Sequence, residues 1–360
     1  MAIPEKARRG RGWASGPAPM DQDSLTRGGA GPGWSVATAL SLPGMCPGFP
    51  ASRMDRSVVR IGTRASPLAL WQAEHVRAEL LSRNPGLAVE LVSMTTAGDR
   101  HLDTPLQLVG GKGLFVKEIE TALLAGEVDL AVHSMKDVPS VQPEGLELAV
   151  ILEREDVRDV LVSNHYQAPS GLPAGARVGS SSLRRRAQLL HQFPHLDVRD
   201  LRGNVATRLR HLDGGGWDAI ILAAAGLLRL GLAERIAGYL SIEDSLPAVG
   251  QGAIGIEIRA EDSATRRLVH PLSHHPTEWC VRAERAMNRI LGGDCRLPVA
   301  ALARWKGESM EMEGRVASAD GLRLLTARAT GDDPDTLGQT VADCLLAQGA
   351  GQIIQEIHQA

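Results

Sequence analysis

Residues 58–96 read VVRIGTRASPLALWQAEHVRAELLSRNPGLAVELVSMTT, and this stretch decides the fold class. Its first segment, VVRIGT, is rich in β-branched residues and predicts a strand. Pro67 then opens PLALWQAEHVRAELLSR, whose apolar spacing predicts an amphipathic helix. The segment LAVELVSMTT predicts the next strand. A strand, a helix and a second strand in this order are typical of a β-α-β unit in a parallel sheet.

The alternation of strands and helices continues to about residue 225. The next predicted elements are, in chain order, the helix FVKEIETALLAG, the strands VDLAVHSM, DVLVS and ARVGSS, the helix LRRRAQLLHQF, the strand LDVRDL, the helix NVATRLRHL and the strand WDAIILAAA. We therefore expect an α/β fold with mostly parallel sheets and helices on both faces. Binding sites in such sheets gather at the carboxyl ends of the strands.

The last part of the chain has a different pattern. TEWCVRAERAMNRIL predicts a helix, and PVAALARW, SMEMEGRVAS and LRLLTARAT alternate with period two, as in an antiparallel sheet. DTLGQTVADCLLAQGAGQIIQEI predicts one closing helix. We place a small α+β domain at about 273–360. The turn LGGDCRLP lies at its helix-to-strand junction and presents Cys295 between Asp294 and Arg296, where a reactant could reach the thiol.

Composition excludes several classes of protein. The chain has 360 residues, 43% of them hydrophobic, which suggests two or three domains. A net charge of −3 and 3% aromatic residues argue against a nucleic-acid-binding protein. The sequence contains no run of about 18 apolar residues, so we expect no membrane span.

Cysteine and histidine usage predicts neither a disulfide framework nor a metal site. The cysteines are Cys46, Cys280, Cys295 and Cys344, far apart and without a CxxC pair. A reducing compartment fits this pattern best. His270, His274, His275 and Cys280 match no zinc-binding spacing, and we interpret these histidines as solvated loop residues.

Residues 1–56 differ from the rest and are rich in Gly, Pro, Ala, Ser and Arg. We predict that they are disordered. A transit peptide is one alternative, although Glu5, Asp21, Asp23 and the prolines argue against it. We favour an incorrectly assigned translation start, because Met54 begins MDRSVVRIGTR, where the ordered pattern begins.

Cations and hydroxyls cluster at predicted strand ends. They are Arg64 and Ser66 after the first strand, Ser180–Ser182 leading into Arg184–Arg186, Arg202 after a later strand, and Arg208 on the following helix. Serines at a helix start and arginine forks suit an anion, so the set predicts a cleft for a polyanionic small molecule. Surface ion pairs are the alternative for any single arginine. Within the triple, Arg186 is expected to be the most exposed.

Phosphate or nucleic acid could also be the anion, but the sequence has no GxxxxGK[ST] loop. GGKG at Gly110–Gly113 resembles such a loop only weakly and is better interpreted as a hinge or lid with one cation, Lys112. Asp137 follows an apolar strand in HSMKDVP, beside Lys136. Such a carboxylate could stabilise a developing cation or transfer a proton, or it could only cap the turn.

Taken together, these segments resemble the porphobilinogen deaminases, also called hydroxymethylbilane synthases. The matching segments are, in order, RIGTRASPLALWQ, GDRHLDTPL, VGGKGLFVKEIE, DLAVHSMKDVP, EREDVRDVLVS, VGSSSLRRRAQL, LRGNVATRLRHLD, DAIILAAAGLLRLGL, LPAVGQGAIGIE, AERAMNRILGGDC and RLPVAA. They run from about Arg60 to Ala301, and the resemblance covers nearly the whole chain after residue 56.

The resemblance implies an enzyme that joins four porphobilinogen molecules head to tail, releases ammonia at each step, and hydrolyses the product to hydroxymethylbilane for haem biosynthesis. It implies a covalent dipyrromethane cofactor on Cys295, made from the substrate, and a catalytic aspartate at Asp137. The implied binding residues for substrate and cofactor are Arg64, Ser66, Lys112, Phe115, Ser134, Lys136, Ser180, Ser182, Arg184, Arg185, Arg202, Arg208 and Arg229, and no metal is implied.

The family fold has two α/β domains like those of periplasmic binding proteins and a small C-terminal α+β domain that carries the cofactor cysteine. The expected boundaries are 57–155 with 250–270, then 158–248, then 273–360. The resemblance also implies a cytoplasmic monomer that acts on a small molecule and binds neither nucleic acid nor membrane, and the leader leaves plastid import open.

This sequence departs from the family pattern at three positions. Leu108 stands where many relatives have lysine, Asp294 gives GGDC instead of GGC, and Ser180 replaces a common threonine. Two other functions remain as alternatives: a non-enzymatic two-lobed anion-binding protein, and a nucleic-acid-binding module. The first explains neither Cys295 in its turn nor Asp137, and the net charge and few aromatic residues argue against the second. A red colour with Ehrlich's aldehyde reagent would indicate a covalent pyrrole.

A protein that begins at Met54 should fold and turn over porphobilinogen as well as the full chain does, because residues 1–53 lack the apolar pattern needed to join a core. Melting temperature and activity of the two proteins check this. A large loss of either on truncation would show that the leader is part of the folded protein.

Overall fold

The computed structural model describes residues 58–100, 113–293 and 297–359. The predictions for residues 1–56 and for Leu108, Lys112, Asp294 and Cys295 lie outside these ranges. Among the residues described, no helix is both long and apolar enough to cross a membrane.

The described residues form three sheets and their flanking helices. The strands are β1 (Val58–Arg64), β2 (Ala88–Met94), β3 (Leu130–Ser134), β4 (Leu146–Ile151), β5 (Asp159–Val162), β6 (Arg177–Gly179), β7 (Asp197–Arg199), β8 (Ala219–Ala223), β9 (Gly238–Tyr239), β10 (Ile254–Arg259), β11 (Val299–Lys306), β12 (Ser309–Ala317) and β13 (Leu324–Gly331). The α-helices are α1 (Pro67–Arg83), α2 (Ala97–Arg100), α3 (Lys117–Leu124), α4 (Leu183–Gln192), α5 (Val205–Asp213), α6 (Ala224–Arg229), α7 (Ser263–Val269), α8 (His275–Ile290), α9 (Pro334–Ala347) and α10 (Ala350–Gln359).

The first β-α-β unit forms as residues 58–96 predict. The Ser66 side chain accepts a hydrogen bond from the Ala69 amide at 3.4 Å and caps α1, with Pro67 at its first position. Ala73, Val76 and Leu80 are buried on one face of α1 and pack on the first sheet. β1 lies parallel to β2 and to β3. Arg64 therefore lies at the carboxyl edge of the first sheet.

The two five-stranded sheets have the orders β2-β1-β3-β10-β4 and β7-β6-β8-β5-β9. In the first, β10 is antiparallel to β3 and β4; in the second, β5 is antiparallel to β8 and β9. Four of the five strands in each sheet run in the same direction and only β10 or β5 opposes them, so the sheets are mixed and the α/β class is confirmed. The chain passes from β4 of the first sheet to β5 of the second and returns to the first sheet at β10, so neither β5 nor β10 follows a crossover helix within its own sheet.

The predicted C-terminal α+β unit is confirmed. β11, β12 and β13 form an antiparallel sheet, and its core includes Met287 of α8 with Val341 and Leu345 of α9. The single closing helix is wrong, since α9 and α10 are separate. Gly349 lies between them with φ of 101°, a backbone conformation that ends a helix and that glycine adopts without strain.

Candidate functional site

Asp137 lies in a short turn where β3 ends. One turn of 3-10 helix, Met135–Asp137, follows β3, and the buried Met135 fixes it through a hydrogen bond from its amide to the Ala253 carbonyl at 3.0 Å. Lys136 and Asp137 are half-buried at the carboxyl end of the strand. Residues at this position face the space beyond the sheet edge, as the sequence predicts.

Arg64, at the end of β1, brings three other groups together. Its Nη1 lies 3.7 Å from Oδ2 of Asp137, and its Nε donates to Oδ2 of Asp99 at 3.2 Å. The guanidinium carbon lies 4.4 Å from the ring centre of Phe115, which gives a cation–π contact. Gly98 allows the ring to approach, because a Cβ there would lie 2.2 Å from Phe115.

Asp99 holds Arg64 as an ionised partner. Burial disfavours the charged carboxylate, but hydrogen bonds from Arg64 and Thr96 outweigh it, and the pKa of Asp99 lies below its usual value. Sequence reasoning missed Asp99. It follows β2 closely, as Asp137 follows β3, so the same strand-end criterion could have found it.

Lys136 and Arg208 form a crowded cationic region between the first and second sheets. Burial lowers the pKa of Lys136 to about 8; Asp137 raises it, and Arg185 and Arg208 lower it further. Burial also lowers the pKa of Arg208 to about 10, as do Arg185 and Arg202, against the opposing effect of Asp137. These side chains, which come from different sheets, therefore lie within electrostatic range of one another.

Arg184 and Arg185 face inward and share one carboxylate, that of Asp159. Nη1 of Arg184 lies 2.7 Å from Oδ2 of Asp159, and Nε of Arg185 donates to Oδ1 at 2.9 Å. Burial would raise the pKa of Asp159, but the two adjacent guanidinium charges hold it well below its usual value. Arg186 is the most exposed of the triple, as predicted. Sequence reasoning missed Asp159, which gives no local sign of its two partners.

The serines cap helices or support neighbouring groups. Ser182 caps α4 by accepting from the Arg185 amide at 3.5 Å, and the buried Ser180 hydroxyl accepts from the Ser182 amide at 3.3 Å. Ser134 exchanges hydrogen bonds with Gln72 of α1 at 2.8 and 3.1 Å. These contacts leave the hydroxyl groups near the two strand ends where the cations gather.

Arg229 and Arg202 complete the predicted set. Arg229, at the end of α6, donates to the Gly252 carbonyl at 2.7 Å and lies 5.6 Å from the ring centre of Trp71. It therefore reaches from the second sheet to the segment before β10 of the first. Arg202 is half-buried and lies within electrostatic range of Arg208.

Two family models match the chain. The model described as "Porphobilinogen deaminase, dipyromethane cofactor binding domain" matches residues 59–267, and "Porphobilinogen deaminase, C-terminal domain" matches residues 279–347. The chain belongs to the porphobilinogen deaminase family. Porphobilinogen deaminases are transferases of tetrapyrrole biosynthesis, and the chain is accordingly a hydroxymethylbilane synthase with a dipyrromethane cofactor and porphobilinogen as its substrate.

Curated porphobilinogen deaminases align over nearly their full length. The protein from Acidithiobacillus ferrooxidans is 65% identical over 84% of this chain and 99% of its own. The proteins from Thiobacillus denitrificans and Laribacter hongkongensis are 56% and 55% identical, over 82% and 84% of this chain and 98% and 99% of theirs. A solved nutrient-binding protein from Burkholderia cenocepacia bound to methionine aligns at 17% identity with a TM-score of 0.38, over 59% of this chain and 90% of that one.

The cationic region fits a dipyrromethane. Each pyrrole of the group carries an acetate and a propionate, and Lys136 and Arg208 are cations whose pKa values are lowered mainly by burial and further by neighbouring guanidinium groups. Carboxylates that enter this region would be stabilised by several charged hydrogen bonds, each of about 1.5–3 kcal/mol. Arg64 offers a further guanidinium beside Asp137 at the same edge.

Changing Arg208 to Leu should slow elongation without lowering the melting temperature, because the change removes one of several crowded positive charges. Arg210→Leu, an exposed position on the same helix, is the matched control and should leave turnover unchanged.

Arg184→Leu should instead destabilise the fold by about 3–5 kcal/mol, since it breaks a buried ion pair. Thermal unfolding and timed product assays measure both effects. Normal turnover of Arg208→Leu would show that its side chain only supports its own loop, where Nε donates to the Gly203 carbonyl at 2.8 Å.

Proposed function

We propose that Asp137 is the catalytic residue of the condensation and that the cations around it hold the substrate's carboxylates. The observation that supports this most directly is the pairing of one carboxylate, Asp137, with Arg64 and Lys136 at the end of β3. A carboxylate held beside several cations can act on a developing positive charge while the cations bind the acetate and propionate groups.

The chemistry requires such a carboxylate. Loss of ammonia from porphobilinogen leaves a cationic methylenepyrrole, and its charge is shared with the pyrrole nitrogen. Asp137, within hydrogen-bond distance of that N–H, would stabilise the charge more in the transition state than in the bound substrate. A dipyrromethane held by these cations would supply the terminal pyrrole carbon for the condensation.

The binding roles proposed for the other residues follow their places at the two sheet edges. We assign carboxylate binding to Arg64, Ser66, Ser134, Lys136, Ser180, Ser182, Arg202, Arg208 and Arg229, with Phe115 packing on Arg64. Lys112 joins this proposed set from the sequence alone. Arg184 and Arg185 belong to the same proposed set. Their contacts with Asp159 support a role in which they reach the ligand mainly through their charge.

The proposed domains follow the three sheets: 57–155 with 250–270, then 158–248, then 273–360. The strands of the first sheet fall within 58–151 and 254–259, which supports the return of a late segment to the first domain. We also propose a monomer that works in the cytoplasm and binds neither nucleic acid nor membrane, in keeping with a net charge of −3 and a small-molecule substrate.

Cys295 is the proposed point of cofactor attachment. Intact-mass measurement should find the chain heavier than its sequence by two porphobilinogen units less two ammonias. Cys295→Ser should remove this added mass, because the thioether needs the sulfur. Cys280→Ser, at a buried thiol, and Cys344→Ser, at an exposed one, are the controls and should keep it. Added mass that survives in Cys295→Ser would place the attachment at another residue.

Changing Asp137 to Asn should lower the single-turnover rate at least about a hundredfold, because it keeps the shape and removes the charge. Asp137→Glu should leave slow turnover, since the charge is kept but moved by one methylene. Substrate affinity should change much less than rate in both variants, as the cations do the binding.

The rate is measured on enzyme that already carries its cofactor, with Asp213→Asn, at an exposed residue, as the control. Elongation at the parent rate in Asp137→Asn would mean that Asp137 only shapes its turn.

A further inference from the structure

The three residues that follow Asp137 all bond to α8 or to the turn after it. Arg285 of α8 donates from Nη1 to the Val138 carbonyl at 3.2 Å and from Nη2 to the Pro139 carbonyl at 2.8 Å. One buried guanidinium thus holds two successive peptide groups beside Asp137. Helix α8 packs on the third sheet, so the turn of Asp137 is fixed from outside its own sheet.

The third residue of this segment, Ser140, extends the link. Asn288 of α8 donates from Nδ2 to Ser140 Oγ at 2.8 Å and to the Gly293 carbonyl at 3.2 Å. Ser140 Oγ in turn donates to the Gly293 carbonyl at 3.4 Å. The three groups form a closed triangle of hydrogen bonds, and Gly293 precedes Cys295 by two residues in the sequence.

Gly293 must be glycine for this triangle to form. A Cβ at that position would lie 1.9 Å from Oδ1 of Asn288, well inside any permitted contact. The Gly293 amide also donates to the Asn288 carbonyl at 2.8 Å, so the Asn288 backbone and side chain both hold the same residue. The second glycine of LGGDC therefore serves the contact with Asn288.

The carboxylate of Asp137 depends on such support. Its ion pair with Arg64 is 3.7 Å long, which exceeds a normal hydrogen bond. The position of the Asp137 side chain therefore depends on how firmly its backbone is held. A misplacement of about 1 Å in a catalytic group can lower a rate by about a hundredfold. Any group that fixes the backbone at residues 138–140 therefore affects catalysis without contact with the substrate.

We infer that Arg285 and Asn288 are positioning residues of the condensation, which act through the Val138 and Pro139 carbonyls and Ser140 to hold the Asp137 carboxylate in register with the turn that contains Gly293. This inference rests on the proposed role of Asp137. On this inference, α8 holds residues 138–140 and the turn at Gly293 at a constant separation during elongation.

The test uses two small truncations, Asn288→Ala and Ser140→Ala, in full-length enzyme that carries its cofactor. Each should lower the single-turnover elongation rate about tenfold, with substrate affinity nearly unchanged. The double variant should be no slower than the slower single variant, because both changes break the same link. Cofactor content by intact mass and the melting temperature are measured in parallel.

Two matched controls separate positioning from stability. Ser273→Ala removes a hydroxyl that donates to Glu278 at the other end of α8, and Gln192→Ala removes an amide that donates to the Asp244 carbonyl. Both should elongate at the parent rate. If Asn288→Ala does not fold, Ser140→Ala alone decides, since Ser140 lies in a half-exposed turn.

Testing Ser140→Ala in a protein that already carries Asp137→Glu distinguishes a positioning role from a purely structural one. In Asp137→Glu, where the carboxylate is already displaced, Ser140→Ala should slow elongation by less than about twofold, because there is little alignment left to lose. Parent-like elongation in both Asn288→Ala and Ser140→Ala, with Asp137→Asn inactive, would overturn this inference and leave the proposed function intact. Parent-like elongation in Asp137→Asn would overturn both.

Discussion

The buried carboxylate of Asp159 joins the second sheet to the segments that pack around it. It lies at the start of β5, where the chain enters the second sheet, and it is fully buried. Four side chains donate to it: Arg184, Arg185, Ser245 and Gln251. Removing a carboxylate from water costs several kcal/mol, and charged hydrogen bonds of about 1.5–3 kcal/mol each offset that cost. These hydrogen bonds join strand β5 to helix α4 and to the segment that leads to β10.

One carboxylate for two guanidinium groups leaves the region positive. Lys136 and Arg208 lie within range of that surplus charge, and both have lowered pKa values. Burial is the main cause of both shifts, and the neighbouring guanidinium groups add to it. Carboxylates bound beside these cations, as the proposed function requires, would offset part of that cost of burial.

Helix α8 packs on the third sheet and also contacts the two chain segments that connect the first sheet with the second. Its buried Glu284 accepts from Nη1 of Arg154 at 2.6 Å, from the Gly250 amide at 2.7 Å and from the Ala303 amide at 3.0 Å. Arg154 lies in the link from β4 to β5, and Gly250 lies in the return to β10. The same helix carries Arg285 and Asn288. Helix α8 therefore contacts both connecting segments and the turn that follows Asp137.

The sequence by itself determined the α/β class, the C-terminal α+β unit, the family, and the strand-end positions of Arg64, Lys136 and Asp137, because periodicity, caps and long motifs are local properties of the chain. Tertiary structure alone decided the antiparallel course of β5 and β10, the inward direction of Arg184 and Arg185, and the partners Asp99 and Asp159. Each of these depends on contacts between segments far apart in sequence. The run SSSLRRR shows which residues can bind an anion. Whether that anion is a ligand or Asp159 depends on the folded second sheet, which brings Asp159 next to Arg184 and Arg185.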